Sequence, residues 1–144
     1  MKLPTVSEAM TRGAISCEES CTIEEVAKLM VEKNIRSVVI QNKIGKPIGL
    51  ATGGDIVKAM AKRLSPETKV SEIIGKELIT VEADADIIDA TEIMNKRNIK
   101  RLVVVDKGEV VGIITVKDVL KYSPKYLQEF AKTLDKLDTI IKKL

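Results

Sequence analysis

Two short stretches decide the fold of this chain: Gly-Leu-Ala-Thr-Gly-Gly-Asp-Ile at residues 49–56 and Gly-Ile-Ile-Thr-Val-Lys-Asp-Val at residues 112–119. In each, apolar residues typical of a buried strand lead directly into a segment with helical spacing. A threonine stands three residues ahead of an aspartate at both junctions. We therefore expect a strand that passes straight into a helix at both places, with the threonine and the aspartate in the first turn.

The two stretches belong to a longer internal repeat. Val6-Ser7-Glu8 returns as Val70-Ser71-Glu72, and Asn34-Ile35 returns as Asn98-Ile99, both at an offset of 64 residues. After a one-residue difference in a hairpin the offset is 63, and the matched pairs are Gly49 and Gly112, Thr52 and Thr115, and Asp55 and Asp118. We expect one repeat at residues 5–62, a linker at 63–69 and a second repeat at 70–122.

Each repeat shows the same order of predicted elements. In the second, β-branched runs at 102–105 and 110–114 flank a hairpin turn at 106–109. Ahead of them, a helical apolar stripe is formed by Ile87, Ala90 and Met94. A second helix begins near Thr115. The order predicts an α/β fold of two tandem β-α-β-β-α repeats, packed as one pseudo-symmetric module because one repeat cannot bury its sheet well alone.

The composition excludes several classes of protein. The chain has 144 residues, of which 44% are hydrophobic and 31% charged, as in an ordinary globular protein. It has no histidine, which excludes Ser-His-Asp and Cys-His catalysis and histidine-containing zinc sites. Aromatic residues are only 2%, too few for stacking on single-stranded nucleic acid. The net charge of +3 lies in residues 121–144, and the neutral remainder argues against duplex DNA as the main partner.

The rest of the sequence predicts a cytoplasmic protein without a metal site. No charged-then-apolar leader opens it, and no apolar run approaches the ~20 residues of a membrane span. Cys17 and Cys21 are too few for a disulfide framework and lack further zinc ligands. Cys21 precedes a helix and could be a reactive thiol. The alternatives are two ordinary small residues at a strand end, or a local disulfide if the loop brings the sulfurs together.

The spacing Thr-x-x-Asp has two interpretations. In a capping box, the threonine oxygen accepts a hydrogen bond from a backbone amide and the acid reaches back. The segments Thr22-x-x-Glu25 and Asp86-x-x-Asp89 open the other two helices in the same way. In a binding site, the helix start attracts a phosphate and the aspartate accepts hydrogen bonds from a ribose diol. Both interpretations stay open on the spacing alone.

The duplicated unit, with Gly-hydrophobic-hydrophobic-Thr-x-x-Asp near the end of each copy, resembles a tandem pair of cystathionine β-synthase (CBS) domains, a Bateman module. The resemblance covers about residues 5–122 and includes Asn34-Ile35-Arg36 and Asn98-Ile99-Lys100-Arg101. It implies a regulatory module, not an enzyme, with no required cofactor. Its effector would be AMP, ADP, ATP or S-adenosylmethionine, bound in two clefts between the copies. The resemblance also implies a homodimer that acts on a separate, unidentified protein.

The same resemblance assigns residues to two sites, in which the aspartate holds the ribose, the threonine and basic residues hold phosphate, and strand residues of the opposite copy hold the adenine. The first site would contain Asp55, Thr52, Leu50, Arg36, Leu78, Ile79, Thr80, Ile99, Lys100 and Lys117. The second would contain Asp118, Thr115, Ile113, Lys100, Ala14, Ile15, Ser16, Ile35, Arg36 and Ser37. Because Lys117 precedes Asp118 whereas Gly53-Gly54 precedes Asp55, we expect the Asp118 site to bind more tightly.

Several features have a plainer alternative. The basic side chains Arg36, Lys100, Arg101 and Lys117 could be ordinary solvated charges. The methionines Met10, Met30, Met60 and Met94 are expected to fill the core. Residues 123–144 predict an amphipathic helix, with Ser123-Pro124 at its start and a seam of apolar residues spaced three and four apart. That helix would mediate self-association or partner docking, or fold back on its own module.

Three other functions compete with the regulatory one. A small enzyme acting on a nucleotide is weakly supported, because no base, metal cluster or nucleophile accompanies the aspartates. A nucleic-acid accessory protein would use the lysine-rich residues 123–144 as its contact. A purely structural dimerisation module would use the Thr-x-x-Asp segments as helix caps only.

Overall fold

The structure is a computed structural model, and it describes residues 3–75 and 77–122. The chain divides into two compact units. Residues 14–79 form the first, which we name the Asp55 unit, and residues 3–13 with residues 80–122 form the second, which we name the Asp118 unit. The amphipathic helix predicted at 123–144 lies outside the described residues.

The N-terminal segment contributes two short elements, helix α1 (Val6–Ala9) and strand β1 (Thr11–Arg12). Both belong to the Asp118 unit. The amide of Val6 donates to the carbonyl of Ala85 at 2.7 Å, which fixes the start of α1 in that unit.

The Asp55 unit is a three-stranded sheet with two helices. Strand β2 (Ser16–Glu18) runs parallel to β3 (Ser37–Gln41), and β3 pairs antiparallel with β4 (Pro47–Thr52). Helix α2 (Ile23–Lys33) connects the two parallel strands, and helix α3 (Gly53–Ala61) follows β4 without an intervening loop. The junction predicted at residues 49–56 is therefore confirmed.

The Asp118 unit repeats this plan with one more strand. Strand β5 (Thr80–Glu82) is parallel to β6 (Arg101–Asp106), and β6 pairs antiparallel with β7 (Glu109–Thr115). Helix α4 (Ile87–Arg97) connects the parallel strands, and helix α5 (Val116–Tyr122) follows β7. Strand β1 adds antiparallel to the free edge of β7, which gives the sheet order β1-β7-β6-β5.

The hairpin between β6 and β7 forms where the sequence predicts it. Lys107 and Gly108 occupy the turn with φ of 52° and 82°. Two successive positive φ values suit the right-handed twist of the paired strands, and glycine tolerates such a value at little cost. The strand–helix–strand–strand–helix order is thus present in both repeats and confirms the predicted α/β class.

The compact units do not coincide with the sequence repeats. The segment Val70–Glu72 is a short 3₁₀ helix, and the amide of Val70 donates to the carbonyl of Cys21 at 2.8 Å inside the Asp55 unit. Its counterpart in the first repeat, the segment around Val6, packs inside the Asp118 unit. Each leading segment therefore completes the unit that holds the other repeat's strands.

Two matched glycines make room for these leading segments. A Cβ atom on Gly49 would lie 2.6 Å from Cδ1 of Ile74, and one on Gly112 would lie 2.5 Å from the carbonyl oxygen of Thr11. Such distances are far inside van der Waals contact, so a side chain at Gly112 would push the backbone of β1 away, and one at Gly49 would displace the tip of Ile74. This close approach explains why glycine recurs there.

Each unit has its own apolar core. In the Asp55 unit, the core consists of Val26, Met30, Val38, Ile40, Ala51 and Val70. In the Asp118 unit, the fully buried residues include Val6, Ile87, Met94, Leu102, Val104 and Ile114. The predicted stripe on α4 is confirmed, because all three of its residues are buried.

The prediction for one methionine is wrong. Met10, Met30 and Met94 are buried, but the side chain of Met60 is 78% exposed. On α3 the residue that turns fully inward is Ala59, its neighbour in sequence. A one-residue step rotates a side chain by about 100° around the helix, which places Met60 on the outer face together with Val57.

Candidate functional site

The junction between β4 and α3 holds Thr52 and Asp55 in a capping box. The amide and the hydroxyl of Thr52 donate to Oδ2 of Asp55 at 2.8 and 3.0 Å. In return, the amide of Asp55 donates to the Thr52 hydroxyl oxygen at 3.2 Å. The residue types follow from the backbone, since a helix start leaves its first amides without partners and short oxygen-bearing side chains satisfy them.

The junction between β7 and α5 is built in the same way. The amide of Thr115 donates to Oδ2 of Asp118 at 3.0 Å, and the amide of Asp118 donates to the Thr115 hydroxyl at 3.1 Å. The capping interpretation is therefore right in geometry. It leaves the binding interpretation intact, because in both junctions the backbone amide bonds to Oδ2 and the side chain is only half-buried.

A basic residue lies beside each junction. The amide of Gly53, the first residue of α3, donates to the carbonyl oxygen of Arg36 at 3.0 Å. The amide of Val116, the first residue of α5, donates to the carbonyl oxygen of Lys100 at 3.1 Å. Both basic side chains are exposed. Each unit therefore places one carboxylate and one cationic residue around the same helix start.

The recurring asparagines position these basic residues. Asn34 and Asn98 end α2 and α4 in the left-handed conformation, with φ of 53° and 56°. The amide of the next residue then donates to the carbonyl of a methionine in the preceding helix at 2.9 Å, from Ile35 to Met30 and from Ile99 to Met94. Asparagine tolerates the left-handed conformation better than most residues, so it ends the helix at a fixed place and sets the start of the next strand.

The other predicted site residues divide between the units. Those in the Asp55 unit are Ala14, Ile15, Ser16, Ile35, Arg36, Ser37, Leu50, Thr52, Asp55, Leu78 and Ile79. Those in the Asp118 unit are Thr80, Ile99, Lys100, Ile113, Thr115, Lys117 and Asp118. Within the first, the carbonyl of Ile15 accepts from the amide of Val39 at 2.9 Å, and Ser37 pairs with Thr52 in the sheet register. The structure thus brings Ser37, Thr52, Asp55 and the backbone of Arg36 to one end of the β3–β4 ladder.

Sequence reasoning missed Thr11. Its hydroxyl lies 3.4 Å from Oδ1 of Asp118, although 107 residues separate the two in the chain. Comparison of the two repeats gives no signal for this contact. Extended by three residues beyond Val6-Ser7-Glu8, the offset of 64 matches Thr11 with Gly75, a position where the copies differ.

The two cysteines are free thiols packed against the core of the Asp55 unit. Burial, together with the hydrogen bond to Cys21 and the electrostatic influence of Cys21 and Glu25, raises the pKa of the Cys17 thiol to about 12. Cys17 is therefore a protonated, unreactive thiol at neutral pH. Within the described ranges, no three or more cysteine, aspartate, glutamate or histidine side chains come together as metal ligands.

Among the described residues, no helix combines the length and the apolar character that a membrane span requires.

Comparison with known proteins agrees with the geometry of the junctions. The family model of the CBS domain matches residues 6–62 and 70–125. This chain belongs to the CBS domain family. An uncharacterised protein from Methanopyrus kandleri is 35% identical over 127 residues, which are 86% of this chain and 65% of that protein. The CBS pair therefore spans less than two thirds of that relative's length.

Two solved CBS structures resemble this one along nearly their whole length. A CBS domain protein from Pyrobaculum aerophilum, solved in complex with AMP, is 31% identical with a TM-score of 0.80 and covers 89% of this chain and 98% of its own. The CBS domain pair of protein MJ0100, in complex with 5′-methylthioadenosine and S-adenosyl-L-methionine, is 30% identical with a TM-score of 0.77. It covers 84% of this chain and 96% of its own. These likenesses confirm the tandem CBS architecture.

Proposed function

We propose that this chain is a cytoplasmic regulatory module that binds an adenosine-containing ligand and reports its level to a separate protein. The observation that carries the proposal is the duplicated junction, in which an aspartate is held by its own helix cap beside a basic residue. CBS proteins are generally regulatory rather than catalytic, and two close structural relatives hold AMP or S-adenosyl-L-methionine.

The carboxylates are proposed to hold the ribose. In the Asp55 unit, both hydrogen bonds from Thr52 to the carboxylate end on Oδ2, which leaves Oδ1 without a donor among the described residues. A ribose diol can donate two hydrogen bonds to such an oxygen pair, and bonds to a charged acceptor are about twice as strong as neutral ones. Since the cap already fixes the carboxylate, little side-chain freedom is lost when the ligand arrives.

The basic residues are proposed to hold the phosphates. The side chain of Arg36 is exposed. Arg36 immediately precedes Ser37, which pairs with Thr52 at one end of the sheet. Arginine binds phosphate oxygens in pairs, whereas Lys100 and Lys117 offer single charges. At the start of the nine-residue α3, the amides of Gly53 and Asp55 already donate to Arg36 and Thr52, so the phosphate role is assigned to the basic side chains.

The complete ligand contacts are proposed to be the two sets assigned from the resemblance, one around Asp55 and one around Asp118. The ligand class is AMP, ADP, ATP or S-adenosylmethionine. Binding stabilises one conformation of the module over another, and a partner that prefers this conformation then reads the occupancy. The change in partner affinity cannot exceed the ligand's own preference between the conformations.

A homodimer is part of the proposal. CBS pairs commonly dimerise, and helices α2 and α3 of the Asp55 unit expose apolar side chains that a second copy would cover. Val31, Val57 and Met60 are 81%, 68% and 78% exposed. Isolated exposed apolar residues are ordinary, but Val57 and Met60 stand three apart on one helix face.

Isothermal titration calorimetry tests the ligand proposal. The native protein is titrated with AMP, ATP and S-adenosylmethionine, and each single variant, Asp55→Asn and Asp118→Asn, is titrated with the ligand that binds. We expect binding to the native protein and the loss of one site in each variant, with the Asp118 site the tighter of the two. An absence of binding heat for every ligand at millimolar concentration would leave the aspartates as helix caps alone.

A further inference from the structure

The two proposed carboxylates differ in one neighbour. Oδ1 of Asp118 faces the hydroxyl of Thr11 at 3.4 Å. The position matched to Thr11 in the other copy is Gly75, which has no side chain, and both bonds to the Asp55 carboxylate come from Thr52 and end on Oδ2. Among the described residues, Oδ1 of Asp55 thus accepts no hydrogen bond, whereas Oδ1 of Asp118 has the Thr11 hydroxyl beside it.

The backbone places the Thr11 hydroxyl there. Thr11 pairs with Ile113 in the β1–β7 ladder, and its carbonyl oxygen lies against Gly112, where a Cβ would approach to 2.5 Å. Because Gly112 has no Cβ atom, β1 can approach β7 this closely. Asp118 follows the end of β7 by three residues, so the ladder that holds Thr11 also holds the start of the aspartate's helix.

The Thr11 hydroxyl donates to Oδ1 of Asp118, but it is not needed to orient the carboxylate. The amide of Thr115 already fixes Asp118 through Oδ2 at 3.0 Å, a shorter and better contact than the one to Thr11. The hydrogen bond from Thr11 therefore competes with a ligand for Oδ1 more than it orders the Asp118 side chain. A ligand hydroxyl that approaches Oδ1 of Asp118 must displace the Thr11 hydroxyl or share the oxygen with it. On Asp55, the bonds from Thr52 end on Oδ2, so they do not compete for Oδ1.

We propose that Thr11 is a specificity-determining residue that weakens diol binding at Asp118 and makes the two sites of this module unequal. The inference rests on the proposed function, because it concerns the ribose hydroxyls of the same adenosine ligand. Lys117 strengthens the Asp118 site through the phosphate, and Thr11 opposes it through the sugar. Ligands with an intact diol are affected, and ligands without one are not.

The test isolates the Asp118 site by calorimetry in the Asp55→Asn background. Thr11→Val keeps the shape of the side chain and removes the hydroxyl, while Thr11→Ser keeps the hydroxyl. We expect Thr11→Val to bind AMP about two- to tenfold more tightly, the range that corresponds to one modest hydrogen bond. Thr11→Ser should bind as the parent does. With 2′,3′-dideoxy-AMP, Thr11→Val and parent should have equal affinity.

The ligand comparison separates this role from a merely structural one, which would alter the binding of both nucleotides alike. Unchanged or weaker AMP binding by Thr11→Val would overturn the inference, as would an equal gain for the dideoxy ligand. The Asp118→Asn protein serves as the check on the proposed function, because its remaining Asp55 site does not involve Thr11. If that protein binds AMP while Thr11→Val shows no gain, this inference alone fails. If AMP binds to neither site, the proposed function fails with it.

Discussion

The amide of Gly53 donates a hydrogen bond of 3.0 Å to the carbonyl oxygen of Arg36. It satisfies the first free amide of α3 and ties the start of β3 to the start of that helix. The same bond joins Val116 to Lys100 in the other repeat. Because only the backbone of Arg36 is used, its guanidinium is left for another partner.

Replacing Arg36 should therefore affect phosphate binding without affecting the fold. We expect Arg36→Gln to weaken AMP binding at the Asp55 site about tenfold, because a charge-assisted contact is lost, and to leave adenosine binding unchanged. Calorimetry in the Asp118→Asn background measures both ligands. The control is Lys33→Gln, which removes an exposed positive charge from the last turn of α2. Equal weakening of AMP and adenosine would contradict a phosphate role.

The two close-packed glycines should differ in their tolerance of alanine. In Gly112→Ala the new Cβ meets the backbone oxygen of Thr11, which cannot move without disturbing β1. In Gly49→Ala it meets the tip of the Ile74 side chain, which can rotate. We expect Gly112→Ala to lower the free energy of unfolding by about 1–3 kcal/mol and Gly49→Ala by less, as overpacking data suggest. Urea unfolding of both variants measures the two changes. A larger loss of unfolding free energy in Gly49→Ala would contradict the contacts described for these glycines.

The left-handed asparagines give a prediction about helix ends. Asn34→Ala should destabilise the protein by about 1 kcal/mol, because the left-handed conformation costs alanine more free energy than asparagine. Asn34→Gly should be neutral or slightly stabilising at the same position. Thermal unfolding of the two variants beside the native protein measures the difference. Equal melting temperatures for alanine and glycine would show that the conformation is not held in solution.

The Cys17 thiol gives a pH dependence with a definite sign. Folding raises its pKa from 9.0 to about 12, mainly by burial. Between these values the unfolded chain has lost the proton that the folded chain keeps, so this contribution to stability is complete below pH 9 and falls as the pH rises toward 12. Urea unfolding under reducing conditions at about pH 8 and about pH 10.5 measures the fall. We expect a smaller fall in Cys17→Ala, and the same fall in both proteins would argue against a buried thiol.

The exposed apolar face of α3 gives a prediction about assembly. If a second copy covers Val57 and Met60, the double substitution Val57→Lys and Met60→Lys should convert the dimer to a monomer, because lysine is costly to bury without a partner. Analytical ultracentrifugation measures the mass. Lys58→Gln, on the same helix, serves as the control and should remain dimeric. A dimer that survives both lysines must use another surface.

The local features of the fold could be predicted because each depends on a few neighbouring residues. The hairpin at 106–109, the caps at Thr52 and Asp86, and the stripe ending at Met94 are all set by spacing within one element. Residue type predicts a core position for Met60, whereas its phase on α3 places its side chain outside. The phase of a short helix depends on its tertiary contacts, which spacing alone does not supply.

The features that escaped prediction depend on residues far apart in the chain. The packing of Val6 beside Ala85 and of Val70 beside Cys21 shows that the leading segments complete the opposite units. Nothing in the local sequence distinguishes this from packing on their own repeats. The contact between Thr11 and Asp118 follows from that exchange and was missed for the same reason. The carboxylate oxygen that each cap uses likewise depends on the three-dimensional geometry of the helix start, which the spacing Thr-x-x-Asp does not specify.

The most direct test of the central claim compares two double variants in AMP titrations followed by calorimetry. Asp55→Asn with Asp118→Asn alters both proposed ribose acceptors, whereas Glu25→Gln with Asp89→Asn alters the matching acids of the capping boxes on α2 and α4. We predict that the first protein no longer binds AMP and that the second binds it as the native protein does. Equal binding by the two proteins, or its loss in both, would contradict the claim that these aspartates are ligand-binding residues.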